Sequence, residues 1–278
     1  MRRIVVDSNM LRKRNLREFL SASTENYAVI PDYVTMEAFK STTLDGLRAS
    51  VSVLADFPGQ VIILKSGGRA IFQSGREKGL QRRLIDEQQT KVFPTFARRI
   101  QTPDILVDSF FDEWKQRAES ARVLFEQMAS NVDGIRAAVL DRDSTFTAAE
   151  RNILRRDSDY PTDLSEKLGN SAMETSRVLF ESATGRSWDS GPEGWVNTVG
   201  FRTALTVILH FTRLHMQGGL SGRRSDRLRN DFVDMTIVAY ATLFDGLMTE
   251  DGHGISIYRR VSRLIASYDG VVPRSRVV

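Results

Sequence analysis

The sequence contains no cysteine and only three histidines among its 278 residues. The lack of thiols excludes disulfides and thiolate metal ligands, and it fits a reducing compartment such as the cytoplasm. A zinc hydrolase needs clustered histidines. His210 and His215 are five residues apart and do not share a helix face, so packing is the favoured role for both. His253 is interpreted as a turn residue.

Long apolar runs are also missing. The longest candidate, TALTVILHFTRLHM (203–216), is interrupted by His210, Arg213 and His215, whereas a membrane span needs roughly 18 apolar residues. The first residues, MRRIVVDSN, lack the apolar core of a signal peptide. The glycine-bearing segment KSGGRAIFQSG (65–75) lacks the Gly-Lys-Ser/Thr of a phosphate-binding loop. The sequence therefore predicts a soluble cytoplasmic protein with no membrane contact.

Positive charge is present and unevenly distributed, with a formal net charge of +4. Residues 76–99 carry seven Lys/Arg against three acids, and residues 213–229 carry five Arg against Asp226. Such patches attract polyanions, although ordinary solvated helix faces have the same composition. The candidate RNA-contacting residues are Arg82, Arg83, Arg223, Arg224, Arg227 and Arg229.

The apolar pattern predicts an α/β protein whose sheet is formed by both ends of the chain. Strand signals at 4–6, 27–32, 60–68 and 246–251 alternate with helical periodicity at 11–20, 33–42, 44–54, 230–244 and 254–268. Between about 76 and 225 the periodicity is helical, including 106–140, 171–183 and 195–216, with loops at 185–195 and 218–230. We predict a parallel-sheet domain of residues 1–75 and 225–278, interrupted by a mainly α-helical insertion of residues 76–224.

Acidic residues stand where sites form in parallel sheets. Asp7 and Asp251 end the first and last predicted strands, Glu37 lies on the helix after the second strand, and Asp231 and Asp234 share a late helix. Two such charges about 4 Å apart repel by about 4 kcal/mol at an effective dielectric constant near 20, so a cluster needs protons or a cation. Oxygen ligands without Cys or His favour Mg²⁺ or Mn²⁺.

Each acid also has a structural interpretation when it is taken alone. Asp7 fits a helix cap, Glu37 and the pair Asp231 and Asp234 fit solvated helix faces, and Asp251 before a glycine fits a turn. The order of the acids along the chain favours a site over four unrelated roles.

The segments VVDSNML, PDYVTMEAF and VDMTIVAYATLFDGLMTED together resemble the PIN-domain ribonuclease family. The resemblance covers residues 1–70 and 226–270 and implies a PIN-like parallel sheet, Mg²⁺ or Mn²⁺ as cofactor, and cleavage of single-stranded RNA. It implies Asp7, Glu37, Asp234 and Asp251 as catalytic metal ligands or water activators, with Asp231 as an optional fifth ligand. Ser8, Asn9 and Thr249 would support them by hydrogen bonds.

The long segment between residues 66 and 234 departs from small PIN proteins, which have a short connection there. It would serve as a substrate-recognition lobe, a dimerisation surface or an inhibitory cap. A toxin with an antitoxin partner, a defence nuclease and an RNA-processing nuclease all fit the sequence, and the family precedent makes a homo-oligomer plausible. The alternatives are a catalytically inactive RNA-binding or protein-assembly module, and a DNA-directed relative of the 5′-nuclease branch, which usually has more acids.

Overall fold

A computed structural model of the protein describes residues 1–39, 43–71, 73–102, 146–156, 160–188, 194–220, 222–273 and 276–277, together with residues 116, 119 and 123. The helix predicted over 106–140 lies outside the described residues apart from those three single positions. The middle of the loop predicted over 185–195 lies outside them as well.

Five parallel strands form one sheet in the order β3-β2-β1-β4-β5. The strands are β1 (Arg2–Val6), β2 (Asn26–Ile30), β3 (Val61–Ile63), β4 (Gly246–Met248) and β5 (Arg276–Val277). Strand β1 is central: it pairs with β2 from Arg2↔Asn26 to Val5↔Val29 and with β4 through Val6↔Met248. Because all strands run in the same direction, their carboxyl ends lie at one edge, where sites of open α/β sheets form.

Helices connect the strands and cover the sheet. They are α1 (Arg14–Ser21), α2 (Asp32–Phe39), α3 (Leu44–Asp56), α4 (Gly67–Ala70), α5 (Leu80–Leu84), α6 (Glu87–Gln101), α7 (Ala148–Arg155), α8 (Thr162–Thr184), α9 (Val199–Met216), α10 (Ser225–Ala241) and α11 (Gly252–Ser267). Short 3-10 turns lie at Ser8–Met10, Pro58–Gln60 and Trp195–Asn197.

The central strands are buried on both faces. Ile4, Val5 and Val6 of β1 and Ala28 and Val29 of β2 have no exposed surface. Strands of a covered parallel sheet carry continuous apolar runs instead of an alternating pattern, because helices pack on both sides. The apolar runs that predicted these strands are therefore also the reason why they lie in the core.

The predicted parallel α/β fold flanked by helices is confirmed. The loop predicted over 218–230 is wrong from Ser225 onward, where α10 begins, and the other differences concern short elements. Strands β3 and β4 are three residues long each, shorter than the predicted 60–68 and 246–251. After β3, the Leu64 amide still donates to the carbonyl oxygen of Ile30, and Leu64 also forms an antiparallel bridge with Ile85. Strand β5 was not predicted, since two residues are too few for a periodic signal. The described part of residues 76–225 contains no strand, as expected.

Helix α9 lies in the middle of the helical layer. Its residues from Val199 to Thr212 are all buried, and it packs against α8, α10 and α11. A helix that is buried on all sides is a core element, and its side chains belong to the same hydrophobic core as those of β1.

The domain boundary predicted between residues 224 and 225, where the helical insertion would end, stays a prediction. Among the described helices, none is both long and apolar enough to cross a membrane.

Buried Arg202 ties α9 to three other segments of the chain. Its side chain has no exposed surface, and burial lowers its pKa to about 9. Its guanidinium donates hydrogen bonds to the carbonyl oxygens of Val196, Thr242 and Val271 and to the side chains of Asn197 and Thr242. These bonds satisfy backbone oxygens that the core has removed from water.

Candidate functional site

A hydrogen-bonded group joins the carboxyl ends of β1 and β4. The Asp7 amide donates to the carbonyl oxygen of Met248 (3.0 Å), which places both ends side by side. The Thr249 hydroxyl donates to Asp7 Oδ2 at 2.6 Å, and Asn9 Nδ2 donates to the same oxygen at 2.8 Å and to Thr249 Oγ1 at 3.2 Å. Ser8 Oγ lies 3.4 Å from Asp7 Oδ1. The three predicted supporting residues thus all contact Asp7.

Asp7 precedes a 3-10 turn, but its side chain makes no capping hydrogen bond to that turn. Burial raises the pKa of Asp7 above its ordinary value, the hydrogen bond from Thr249 acts in the opposite direction, and the charges of Glu37 and Asp251 add to the rise. The environment of Asp7 therefore differs from that of an ordinary helix cap, because other carboxylates act on it.

Asp251 caps helix α11. Its Oδ1 accepts the His253 amide and its Oδ2 accepts the Gly254 amide, both at 2.9 Å, while its own amide donates to Thr249 Oγ1 at 3.1 Å. Taken alone, the sequence fitted Asp251 to a turn, and the structure shows instead that it is the N-cap of a helix. A carboxylate oxygen has two lone pairs, so capping leaves acceptor capacity for a second role.

Four acids from four different elements meet near the carboxyl edge of the sheet. Asp234, on α10, has its pKa raised from 3.8 to about 7, first by burial and then by the charges of Asp7, Glu37, Asp231 and Asp251. Glu37 reaches the group from α2, and its side chain is half-buried. The charges of Glu37 and Asp251 thus act on both Asp7 and Asp234, and the charge of Asp7 acts on Asp234.

The acids fit Mg²⁺ or Mn²⁺ by chemistry, since they offer only oxygen donors. Burial, and after it repulsion by neighbouring acids, raises the pKa values of Asp7 and Asp234, and the charge of a divalent cation would oppose both effects. As they are oriented, however, no three Asp, Glu or His side chains of the described residues form a group that could hold a metal ion. The donor set is suitable, and the side-chain positions do not form a complete ligand shell.

Asp231 is engaged elsewhere. Arg223 Nη2 donates to Asp231 Oδ1 at 2.7 Å, and Arg223 Nε lies 2.6 Å from Oδ2. Burial opposes ionisation of this carboxyl, but the contacts with His210 and Arg223 outweigh it and hold its pKa below the ordinary value. We therefore leave Asp231 out of the proposed ligand set, and its fifth-ligand role stays a prediction.

Two histidines that the sequence favoured for packing or turn roles contact each other. Nδ1 of His210 lies 2.7 Å from Nε2 of His253, and Nε2 of His210 lies 3.6 Å from Asp231 Oδ2. His210 is buried, as expected, and burial is the first cause that lowers the pKa of His253, followed by the charge of His210. No sequence signal links the pair, because 43 residues separate them.

The predicted RNA-contacting arginines differ in their surroundings. Arg224 and Arg227 are exposed near the start of α10, and Arg224 pairs with Asp226. Arg229 donates to Asn230, and exposed Arg82 pairs with Glu87. Arg83 instead donates to the carbonyl oxygens of Ser74, Arg76 and Lys78. Arg83 therefore stabilises the backbone of residues 74–78, and Arg223 forms an ion pair with Asp231. The exposed Arg82, Arg224 and Arg227 are better suited to contact phosphates.

Comparison of the chain with profiles of known protein families, with curated proteins and with solved structures found no match in any of the three. The resemblance to the PIN-domain family therefore stays a prediction, and the function is argued from the site.

Proposed function

We propose that the protein is a metal-dependent endoribonuclease whose active site contains Asp7, Glu37, Asp234 and Asp251. Hydrolysis adds a water oxygen to phosphorus and breaks the bond to the 3′ oxygen, which leaves a 5′-phosphate and a 3′-hydroxyl. A bound Mg²⁺ or Mn²⁺ ion would supply an activated water and would neutralise negative charge in the transition state.

The observation that carries the proposal is the electrostatic interaction of acids from four different elements near the carboxyl edge of a parallel sheet. Asp7 follows β1 and Asp251 follows β4, and their charges act on Asp234 together with that of Glu37. Gathering uncompensated carboxylates in a partly buried place is unfavourable for folding, so such a group is typical of a functional site.

The residues around the acids orient them. Thr249 and Asn9 both donate to Asp7 Oδ2, and the first amides of α11 hold both oxygens of Asp251. A carboxylate held by two donors loses little freedom when it binds a cation, because its orientation is already fixed. These contacts support the proposal, because they fix the orientation of two of the four acids.

Positive charge lies on the helix that carries one of the acids. Arg224 precedes the first turn of α10 and Arg227 lies within it, both are exposed, and Asp234 follows on the same helix. Exposed guanidinium groups contact phosphates without reading sequence. This arrangement supports a nucleic-acid substrate, and the preference for RNA over DNA is taken from the resemblance.

Asp7→Asn tests the proposal. Asparagine keeps the shape of the side chain and an oxygen that accepts from Thr249, but it removes the charge. We expect it to abolish cleavage of single-stranded RNA in Mg²⁺ or Mn²⁺ while folding and RNA binding remain largely intact. Asp45→Asn is the matched control, since the Asp45 side chain is 89% exposed. Cleavage by the Asp7 variant equal to that of the control would refute the assignment, and the same strand made of DNA tests the sugar preference.

A non-catalytic RNA-binding or protein-assembly module is the second candidate. It is favoured by the orientation of the described acids, which do not form a three-residue metal group. Mn²⁺ titration by calorimetry separates the two candidates. The nuclease predicts Mn²⁺ binding that Asp7→Asn removes, whereas RNA binding with no heat from Mn²⁺ would select the module.

A further inference from the structure

A cavity of about 260 Å³ lies next to the acid site. It is lined by His210, Leu214, Gln217, Arg223, Asp231 and His253. Asp251 also lines it, so the cavity and the proposed catalytic acids share one residue. A group bound in the cavity would therefore lie beside the reacting part of the substrate.

A chain of polar contacts holds the cavity wall in place. His253 contacts His210 at 2.7 Å, His210 lies 3.6 Å from Asp231, and Arg223 holds both oxygens of Asp231. Two N–H groups cannot face each other, so at least one of the two facing imidazole nitrogens is an acceptor. Because these side chains fix one another, the cavity needs little rearrangement before it binds a ligand.

The lining suits a neutral group with both donors and acceptors. A phosphate would face the carboxylates of Asp231 and Asp251, which disfavour a second anion. Gln217 and the imidazoles offer donors and acceptors, and Leu214 adds an apolar surface. The volume is below the roughly 300–1,000 Å³ of pockets for drug-sized ligands, so it suits one small ring system.

We propose that this cavity binds one unstacked nucleobase of single-stranded RNA, next to the strand position that the acids would cleave. Proteins read single-stranded RNA by hydrogen bonds to the edges of bases that have left the stack. The proposal rests on the proposed function for its ligand class. It gives a role to the predicted insertion, because His210 and Leu214 of α9, together with Gln217 directly after α9, would select the base.

The experiment measures base preference by binding, without cleavage. Labelled hexanucleotides of uridine, cytidine or adenosine are titrated with the protein in EDTA, and fluorescence anisotropy gives the three dissociation constants. We expect them to differ by about tenfold or more, since one or two hydrogen bonds to a base edge correspond to such a ratio.

Gln217→Ala removes an exposed side chain at the cavity and should reduce this spread of the three dissociation constants to about twofold. Gln88→Ala, at an exposed position of α6, is the matched control and should keep the full spread.

The outcomes separate this inference from the nuclease. Equal binding of the three strands, no binding of any strand, or a spread that Gln217→Ala leaves unchanged would overturn the base-binding cavity. Dissociation constants that become similar only in Gln217→Ala support the base-binding cavity. This holds even if the protein cleaves no RNA in Mg²⁺ or Mn²⁺, because the absence of cleavage would refute the nuclease alone. Cleavage without any base preference would leave the nuclease standing and overturn the cavity.

Discussion

Replacing Asp234 by asparagine tests whether burial and the neighbouring acids disfavour the ionised form of Asp234 in the folded protein. Burial and the four neighbouring acids raise the pKa of Asp234 from 3.8 to about 7, so the folded state holds a proton that the unfolded chain loses at lower pH. The stability from this proton is fully present below pH 3.8 and is lost as the pH rises through about 7. At about 1.4 kcal/mol per pKa unit, the rise of the pKa from 3.8 to about 7 corresponds to about 4 kcal/mol of unfolding free energy.

Asparagine has the shape of the carboxyl but never ionises, so Asp234→Asn should stabilise the protein only at higher pH. Urea unfolding is followed from pH 4 to pH 8 in EDTA for the wild type, for Asp234→Asn and for the exposed control Asp45→Asn. We expect the gain in unfolding free energy to grow from near zero at pH 4 to about 2–4 kcal/mol at pH 8. A gain at pH 8 below about 0.5 kcal/mol, the usual range of surface substitutions, would show that burial and the neighbouring acids do not disfavour the ionised form of Asp234 as described.

Three further substitutions test other parts of the molecule. Arg202→Met leaves buried carbonyl oxygens without donors and should lower the unfolding free energy by about 3 kcal/mol or more, as measured by urea unfolding. Thr249→Val removes the hydroxyl that bonds to Asp7 and should reduce the proposed RNA cleavage about tenfold, measured as kcat. Glu150 accepts the Thr147 amide and contacts Lys167 at 2.9 Å, so its pKa is lowered, and the pair stabilises the fold above pH 4.5 and less as the pH falls. In urea unfolding, Glu150→Gln should therefore lower the unfolding free energy by about 0.5 kcal/mol near pH 7, and this loss should shrink as the pH falls below 4.5.

Local patterns located the four acids along the sequence, whereas the roles of these acids and of the supporting residues were implied by the resemblance to the PIN-domain family. Asp7 follows an apolar run, and Thr249 and Asp251 follow another, so each could be assigned to a strand end before any contact was known. Parallel strands place their carboxyl ends at one edge of the sheet. The ends of β1 and β4 are therefore predicted to lie close together, although they are far apart in the sequence. Asp231 shows the limit of the same reasoning, because sharing a helix with Asp234 does not give it the same partners.

The sequence by itself determined the parallel α/β class, the central strands and the acids at their ends, because apolar runs and strand termini are local features. Only the tertiary structure decided that His210 meets His253, that Arg223 holds Asp231, and that α9 contributes a wall of the cavity beside Asp251. These contacts join segments that have no periodic relation along the chain. They arise when helices α9, α10 and α11 pack together, and that packing depends on the shapes of many side chains at once.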